Sequence, residues 1–199
     1  MTCAIGLITE HGVVMGTDSC SSDGFYRNIA TQPKYAVRGD YCIMGCGSWR
    51  IVQLLQAWEP PEYKPMRSAY HHLIETFIPA LRAMIIEAGA IKVTDQRYLM
   101  ENDTSLLLSV DGQLCTIHSD FQVNMRAGPY DAIGSGMYHA LGCLRTLCAH
   151  YTQEVSPTDF MTPERIVFEA LECAEHFAAG VMQPFTIMTH YKKGTSAYA

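Results

Sequence analysis

Apolar and polar positions along the chain predict short strands grouped around longer helical segments. Two apolar runs, 3–9 and 12–18, flank His11-Gly12 and predict a hairpin. A second hairpin is predicted from 105–110 and 114–118, because Asp111-Gly112 lies between two alternating runs. Further strands are expected at 25–30, 34–38, 41–46, 121–125, 130–133 and 184–190. Ser21 and Ser22 fall in a predicted turn at 21–24.

Helical periodicity predicts four helices, at 49–58, 66–88, 137–151 and 162–179. Pro79 lies inside the second helix and is expected to kink it. Thr162-Pro163 provides a capping residue and a first-turn proline for the last helix. We expect 89–103 to be a polar connection and 194–199 a frayed tail.

The order of these elements predicts the fold class. Strands are followed by two helices, further strands, two more helices and a final strand. This order predicts an α+β protein with two antiparallel sheets stacked between helical layers. A chain of 199 residues with 48% hydrophobic and 17% charged residues fits a single domain covering 1–199.

Charge and cysteine usage narrow the classes of partner. The formal net charge is -6 and no basic block is present, so we expect neither a nucleic-acid nor a membrane partner. No signal peptide and no apolar run of about 18 residues is recognisable.

The eight cysteines form no CxxC pair, and their neighbours are mostly apolar. We therefore expect free buried thiols in a reducing cytoplasm, without a metal site or another cofactor.

Candidate chemistry lies near the start of the chain. Thr2 follows the initial methionine, Asp18 ends the second apolar run, and Lys34 precedes a short strand. A threonine that carries its own amine, a carboxylate and a lysine together form a plausible nucleophilic site. Each of these residues alone also has an ordinary reading: an inert terminal residue, a strand-end cap and a surface lysine.

The joint spacing of these residues resembles that of proteasome β-type subunits and of the bacterial HslV-type peptidase. Asp18 and Lys34 follow Thr2 at the separations that the family pattern requires. The other matching stretches are the sequence GTDS at 16–19, PK at 33–34, GCGS at 45–48 and AIGSG at 132–136. The resemblance covers most of the chain and implies a four-layer αββα sandwich of the N-terminal nucleophile hydrolases. It also implies stacked rings of six or seven copies that cleave polypeptides.

The resemblance implies a role for each matching residue. Thr2 becomes the first residue after removal of Met1; its hydroxyl attacks the peptide carbonyl and its α-amine takes the proton. A free α-amine has a pKa of about 7.7–8.0, suited to a general base. Lys34 favours the neutral amine by repulsion, and Asp18 holds Lys34. The remaining roles concern the amine and the substrate: Ser135 binds the amine, Gly134 and Gly136 allow close approach, and a backbone N–H at Gly47 or Ser48 meets the oxyanion.

Two further groups of residues follow from the same resemblance. A substrate pocket is expected from small residues of mixed polarity, and Ser19 is expected beside it. The pocket residues are Cys20, Ser21, Gln32, Ala36 and Cys46. His176 occupies the position where the family usually has an aspartate beside the amine, so it is a candidate support. Glu175 directly precedes it.

Three functions from different classes remain open on the sequence. The first is a threonine peptidase that encloses its active sites within its own ring, and whether an ATPase partner feeds the ring is left open. The second is a ring or scaffold subunit with the same fold and no activity, because a fold does not fix a function. The third is an amidase of the same superfamily that acts on a small amide.

Overall fold

The protein is an α+β chain in a computed structural model, which describes residues 2–22, 25–64, 68–94, 97–151 and 161–195. Its strands, in chain order, are β1 (Cys3–Ile8), β2 (Gly12–Thr17), β3 (Cys20–Ser22), β4 (Arg27–Ile29), β5 (Tyr35–Arg38), β6 (Tyr41–Cys46), β7 (Ile91–Thr94), β8 (Arg97–Met100), β9 (Ser105–Val110), β10 (Gln113–Ile117), β11 (Val123–Met125), β12 (Tyr130–Gly134) and β13 (Thr186–Tyr191). Its helices are α1 (Trp49–Ala57), α2 (Ala69–His72), α3 (Ile78–Glu87), α4 (Met137–Tyr151) and α5 (Pro163–Phe177).

Two antiparallel sheets carry most of the strands. The first has the order β12-β1-β2-β13, so β1 is a central strand beside β12. The second has the order β11-β10-β9-β6-β5. In the first sheet, Cys3 pairs with Gly134 and Ala4 pairs with Thr17. This register brings the start of β1 beside the end of β2 and the end of β12.

Three buried apolar clusters hold the elements together. One joins the five-stranded sheet to α1 and α3, with Ile51, Leu81 and Leu108 among its members. A second joins the four-stranded sheet to α4 and α5. The third lies between the two sheets and contains Met15, Met44, Leu107, Leu114 and Ile133. Strands of the four-stranded sheet are therefore apolar on both faces, which explains the continuous apolar runs of β1 and β2.

Most of the predicted elements are confirmed, and two stretches were predicted wrongly. Ser21 and Ser22 belong to strand β3, which pairs with β4, rather than to a turn. Residues 89–103 contain the β7–β8 hairpin and a 3-10 turn at Glu101–Asp103, rather than an irregular connection. Both hairpins are short and largely exposed, so they lack the apolar periodicity that identifies a half-buried strand.

The predicted helix at 66–88 is divided into parts. Residues 65–67 lie outside the described residues, and α2 begins at Ala69 after the capping residue Ser68. A π-helical turn, Leu73–Phe77, then separates α2 from α3. Pro79 directly follows this π-helical turn, at the second residue of α3, and the backbone of Phe77 and Ile78 before it is helical. Of the predicted frayed tail, only Gly194 and Thr195 are among the described residues, and the Thr195 N–H donates to the Lys192 carbonyl at 3.1 Å.

Candidate active site

Thr2, Asp18 and Lys34 meet in a buried cluster at the start of β1. Lys34 Nζ lies 3.1 Å from Thr2 Oγ1 and 2.9 and 3.0 Å from the two carboxylate oxygens of Asp18. The three residues are 4%, 1% and 3% exposed in chain order. An ammonium has three N–H donors, and these three contacts use them all. The lysine therefore holds the hydroxyl and the carboxylate in one fixed arrangement.

The Asp18 carboxylate is further fixed by backbone donors. Its Oδ1 accepts from the Cys3 N–H at 2.9 Å. Its Oδ2 accepts from the Cys20 N–H at 2.8 Å and from the Met182 N–H at 3.4 Å. Hydrogen bonds to the ionised form stabilise a buried carboxylate, and the adjacent ammonium balances its charge. The ion pair is therefore satisfied in spite of its burial.

The turn after β12 surrounds the backbone of Thr2. Thr2 N lies 3.3 Å from Ser135 Oγ, and the Gly136 N–H donates to the Thr2 carbonyl at 3.3 Å. Gly134 has φ +94, and a Cβ built there would lie 2.2 Å from the Thr2 carbonyl oxygen. Only glycine fits this close approach without displacing Thr2. Residues 134–136 thus form a cradle for the first residue of β1.

The turn at Gly47-Ser48 is braced from the 101–104 segment. The Ser48 N–H donates to Thr104 Oγ1 at 2.8 Å, and the Ser48 hydroxyl donates to Glu101 Oε1 at 2.5 Å. The N–H of Ser48 is therefore already engaged. Gly47 has φ +107, and the hydrogen bonds between described residues leave its N–H without an acceptor. Of the two expected oxyanion donors, Gly47 is the one whose N–H is available.

The remaining predicted substrate residues differ in how exposed they are. Ser19 is fixed by its hydroxyl, which donates to the Pro184 carbonyl at 2.5 Å. Ser21 and Gln32 are exposed, whereas Cys20 and Ala36 are buried and Cys46 is half-buried. A cavity of about 620 Å³ opens elsewhere, among residues such as Ile8, Pro129 and Ile166 at the far end of β1. The chemical groups, rather than that cavity, identify the candidate site.

His176 lies in the last turn of α5. It is exposed, and its ring makes an edge contact with Phe177 with centroids 4.7 Å apart. Its neighbour Glu175 instead bonds to Gln183, through Gln183 N at 2.9 Å and Nε2 at 3.0 Å. The helix end thus directs the glutamate, rather than the histidine, toward the segment that carries Met182.

Two thiols beside the cluster are held in the neutral form. Burial, followed by the charge of Asp18, raises the pKa of Cys3. Burial also raises the pKa of Cys46, although a Ser105 backbone hydrogen bond and the Lys34 charge oppose the shift. A protonated thiol is a poor nucleophile, so the hydroxyl of Thr2 is the candidate nucleophile at this site.

The cysteines elsewhere are also thiols, since none of those in the described residues forms a disulfide. Cys3, Cys20, Cys42 and Cys115 are buried and the other four are half-buried. Burial raises the pKa of Cys42 and of Cys115 to about 12.

The described part of the chain contains no group of three or more metal-ligating side chains. Within the same residues, no helix is long and apolar enough to cross a membrane.

Several contributors to the site carry no local sequence signal. Glu101 and Thr104 brace the Gly47-Ser48 turn from a distant part of the sequence. Met182 reaches Asp18 from the C-terminal part of the chain. The resemblance pointed to His176, with Glu175 just before it, and in the structure Glu175 is the one of the two that bonds to Gln183.

Comparison with known proteins gives matches in structure alone. No family model and no curated protein sequence matches the chain. BPH from Thiobacillus denitrificans, solved in complex with epoxomicin, matches with a TM-score of 0.73 at 16% identity. HslV from Trypanosoma brucei matches with a TM-score of 0.62 at 18% identity. Each match covers 94% of this chain and 98% of the other.

A third match extends the set. Anbu, described as an ancestral beta-subunit, from Yersinia bercovieri matches with a TM-score of 0.61 at 17% identity, over 96% of this chain and 82% of the other. At such low identities, these likenesses establish the fold and leave the chemistry to be argued from the site. The chain thus has the fold of the proteasome-type subunits of the N-terminal nucleophile hydrolases.

Proposed function

We propose that this protein is a threonine peptidase whose nucleophile is Thr2, exposed as the first residue when Met1 is removed. The observation that carries the proposal is the buried contact of Lys34 Nζ with Thr2 Oγ1 at 3.1 Å and with both oxygens of Asp18. A buried lysine–aspartate pair is costly to build and adds little stability over apolar packing. Its direct contact with a hydroxyl at the start of a strand supports a chemical role.

The first step is attack of the Thr2 hydroxyl on a peptide carbonyl. A bond forms between Oγ1 and the carbonyl carbon, and the hydroxyl proton passes to the α-amine of Thr2. The amine then gives this proton to the departing amine of the substrate, which leaves an ester. Water, deprotonated by the same amine, hydrolyses the ester and regenerates the hydroxyl.

Lys34 acts on this step through its charge. Its ammonium donates to Oγ1, which stabilises the oxygen as the proton departs. The same positive charge favours the neutral form of a nearby amine, which is the form that accepts a proton. Asp18 keeps the ammonium in place and balances its charge. Ser135, 3.3 Å from Thr2 N, supplies the hydrogen bond that orients the amine.

The oxyanion of the intermediate would be met by the Gly47 N–H. The engaged Ser48 N–H and the Glu101 contact fix the shape of that turn. A backbone donor aimed at an oxyanion is worth about 2.7–4 kcal/mol in the transition state. Gly134 and Gly136 permit the close backbone approach, while Ser19, Ser21 and Gln32 contribute to the rim of the substrate pocket.

The assembly is proposed from the fold. The three clusters support a four-layer αββα order, with α1–α3 outside one sheet and α4–α5 outside the other. We propose stacked homo-oligomeric rings that enclose the sites and cleave polypeptides delivered by an ATPase. The buried thiols support a reducing, cytoplasmic location.

The two alternative functions fit the site less well. An inactive ring subunit has no need of a satisfied lysine–aspartate pair in contact with Thr2. An amidase for a small amide would use the same three residues, and it is separated from a peptidase by its substrates and its oligomeric state.

The test compares Thr2→Ala with Thr2→Ser on a fluorogenic peptide, with Thr9→Ala as the matched control. Thr2→Ala should reduce turnover by at least about a thousandfold, because removing a catalytic nucleophile removes the covalent route. Thr2→Ser keeps a hydroxyl and should retain measurable activity, and Thr9→Ala should equal the parent. Intact mass should show that Met1 is absent from active protein. Full turnover by Thr2→Ala, or by protein that retains Met1, would reject the mechanism.

A further inference from the structure

The Asp18 carboxylate is held from the C-terminal part of the chain as well as from its own neighbourhood. The Met182 N–H donates to Oδ2 at 3.4 Å, and the Met182 carbonyl accepts from the Ser19 N–H at 2.9 Å. Met182 belongs to residues 178–185, which join α5 to β13 and which we call the α5–β13 connection. The position of this connection therefore bears on the orientation of Asp18.

Besides the bonds of Met182, side chains hydrogen-bond to the α5–β13 connection at three further residues, Ala179, Gln183 and Pro184. Arg27 Nη1 donates to the Ala179 carbonyl at 3.1 Å, and the Ser19 hydroxyl donates to the Pro184 carbonyl. Between them, Glu175 Oε1 accepts from the Gln183 N–H at 2.9 Å and Oε2 accepts from Gln183 Nε2 at 3.0 Å. Both carboxylate oxygens of Glu175 thus accept hydrogen bonds from Gln183, the residue next to Met182.

The Glu175 contact differs from the other two in kind. It joins the end of α5 to the connection by two parallel hydrogen bonds to an ionised acceptor, and such bonds are stronger and more directional than neutral ones. The Gln183 N–H lies in the same peptide unit as the Met182 carbonyl, which accepts from the Ser19 N–H. Fixing this peptide unit leaves Met182 less freedom to rotate, and therefore helps to keep its own N–H, in the preceding peptide unit, directed at Asp18. A small displacement near reacting groups has a large effect on rate.

We propose that Glu175 is a positioning residue for Asp18 that acts through Gln183 and Met182. The inference rests on the proposed function, since it concerns the same site. Glu175 keeps the Met182 N–H on Oδ2 while both carboxylate oxygens of Asp18 hold Lys34. The Glu175 carboxylate at the end of α5 thereby acts on Asp18 through the backbone of the α5–β13 connection.

The first experiment measures amide hydrogen exchange in the full chain and is independent of catalysis. Glu175→Ala should accelerate exchange of the Met182 and Gln183 amides by about tenfold or more, because local opening becomes easier. Glu172→Ala is the matched control: Glu172 is also half-buried and lies one turn earlier on α5. Equal exchange in the two variants would overturn the proposal.

The second experiment measures kinetics on a fluorogenic peptide. Glu175→Ala should lower kcat about tenfold with KM changed less than about twofold, because Asp18 and Lys34 act on the transition state. Gln183→Glu places a second carboxylate against that of Glu175, and its kcat should fall further than that of Glu175→Ala. The double variant Glu175→Gln/Gln183→Glu restores one amide and one carboxylate, and should be more active than Gln183→Glu. A change in KM alone, or a double variant no more active than Gln183→Glu, would reject the positioning role. If exchange responds while the parent protein cleaves no peptide, the proposed function has failed and the structural link stands.

Discussion

At the scale of single residues, Lys34 couples the stability of the site to its chemistry. Its ammonium is surrounded by Thr2 Oγ1 and the two oxygens of Asp18, and the residue is only 3% exposed. Removing one member of a buried ion pair leaves an uncompensated charge and costs about 3–5 kcal/mol. Loss of activity in a Lys34 variant must therefore be separated from loss of folding.

Lys34→Met should destabilise the protein by about 3–5 kcal/mol and abolish turnover, because the chain keeps a buried carboxylate without its cation. The double variant Asp18→Asn/Lys34→Met removes the lone charge and should regain part of this stability while remaining inactive. Urea denaturation followed by peptide cleavage measures both properties. A Lys34→Met protein of normal stability and normal turnover would show that the contact with Thr2 is incidental.

The residues of the site differ in how far the sequence could predict them. Thr2, Asp18 and Lys34 lie in one segment with a recognisable spacing, and the structure brings them together. Thr104 and Met182 act through single hydrogen bonds across the fold, and such contacts depend on the tertiary arrangement alone. His176 and Glu175 are adjacent in the sequence, and only the direction of the helix end decides between them.

At the scale of elements, the packing of α5 on β2 depends on the absence of a side chain at Gly16. A Cβ built there would lie 2.4 Å from Val167 Cγ1 and 3.1 Å from Leu171 Cδ1. The two α5 residues are fully buried in the cluster between this helix and the four-stranded sheet. Because β2 ends at Thr17, a displaced helix would disturb the strand that leads into Asp18.

Gly16→Ala should therefore destabilise the protein by about 1–3 kcal/mol through overpacking. Val167→Ala alone should also destabilise it, by leaving a cavity. The double variant Gly16→Ala/Val167→Ala should lose less free energy of unfolding than the sum of the two single variants, because the smaller side chain at 167 makes room for the new methyl group. Thermal or urea denaturation of the four proteins gives the coupling energy; strict additivity would mean that α5 relaxes elsewhere.

Sequence patterns predicted the elements that bury apolar surface. β1, β6 and β9 have continuous or alternating apolar runs, and α5 has a capping threonine whose side chain accepts from the Arg165 N–H. The β3–β4 and β7–β8 hairpins carry exposed side chains such as Ile29 and Val93, so their pairing is set by neighbouring structure. The π-helical turn before Pro79 is likewise a local adjustment of a helix that periodicity describes as continuous.

At the scale of the whole molecule, the proposed ring requires the same fold to be repeated around an enclosed space. The chain carries a net charge of -6 and exposes large apolar side chains, including Phe25, Tyr26, Tyr138 and Phe177. Contiguous exposed apolar surface marks contacts between proteins, and the consecutive residues Phe25 and Tyr26 are the first candidates. A closed ring would cover part of this surface with a second copy of the chain.

Mass photometry should therefore give a mass that is a multiple of the 22.2 kDa chain, in agreement with rings of six or seven copies. Thr2→Ala should assemble equally well, since the hydroxyl contributes little to packing. Peptide cleavage should fall on dilution as the assembly dissociates. A 22.2 kDa monomer that cleaves amides at undiminished rate would favour the small-amidase alternative.

The pairing of β1 with β12 has a consequence for biosynthesis. Cys3 pairs with Gly134, so β1 acquires this neighbour only after the intervening 130 residues, 4–133, have been made. The cradle for Thr2 at 134–136 is equally distant along the chain. Contacts of such long sequence separation form slowly, and the growing polypeptide cannot complete them early. A ribosome-bound fragment that ends before β12 would contain Thr2, Asp18 and Lys34, the residues of the proposed catalytic site, without the strand that positions Thr2. For the proposed peptidase, this order of synthesis would keep the site inactive until β12 has been made.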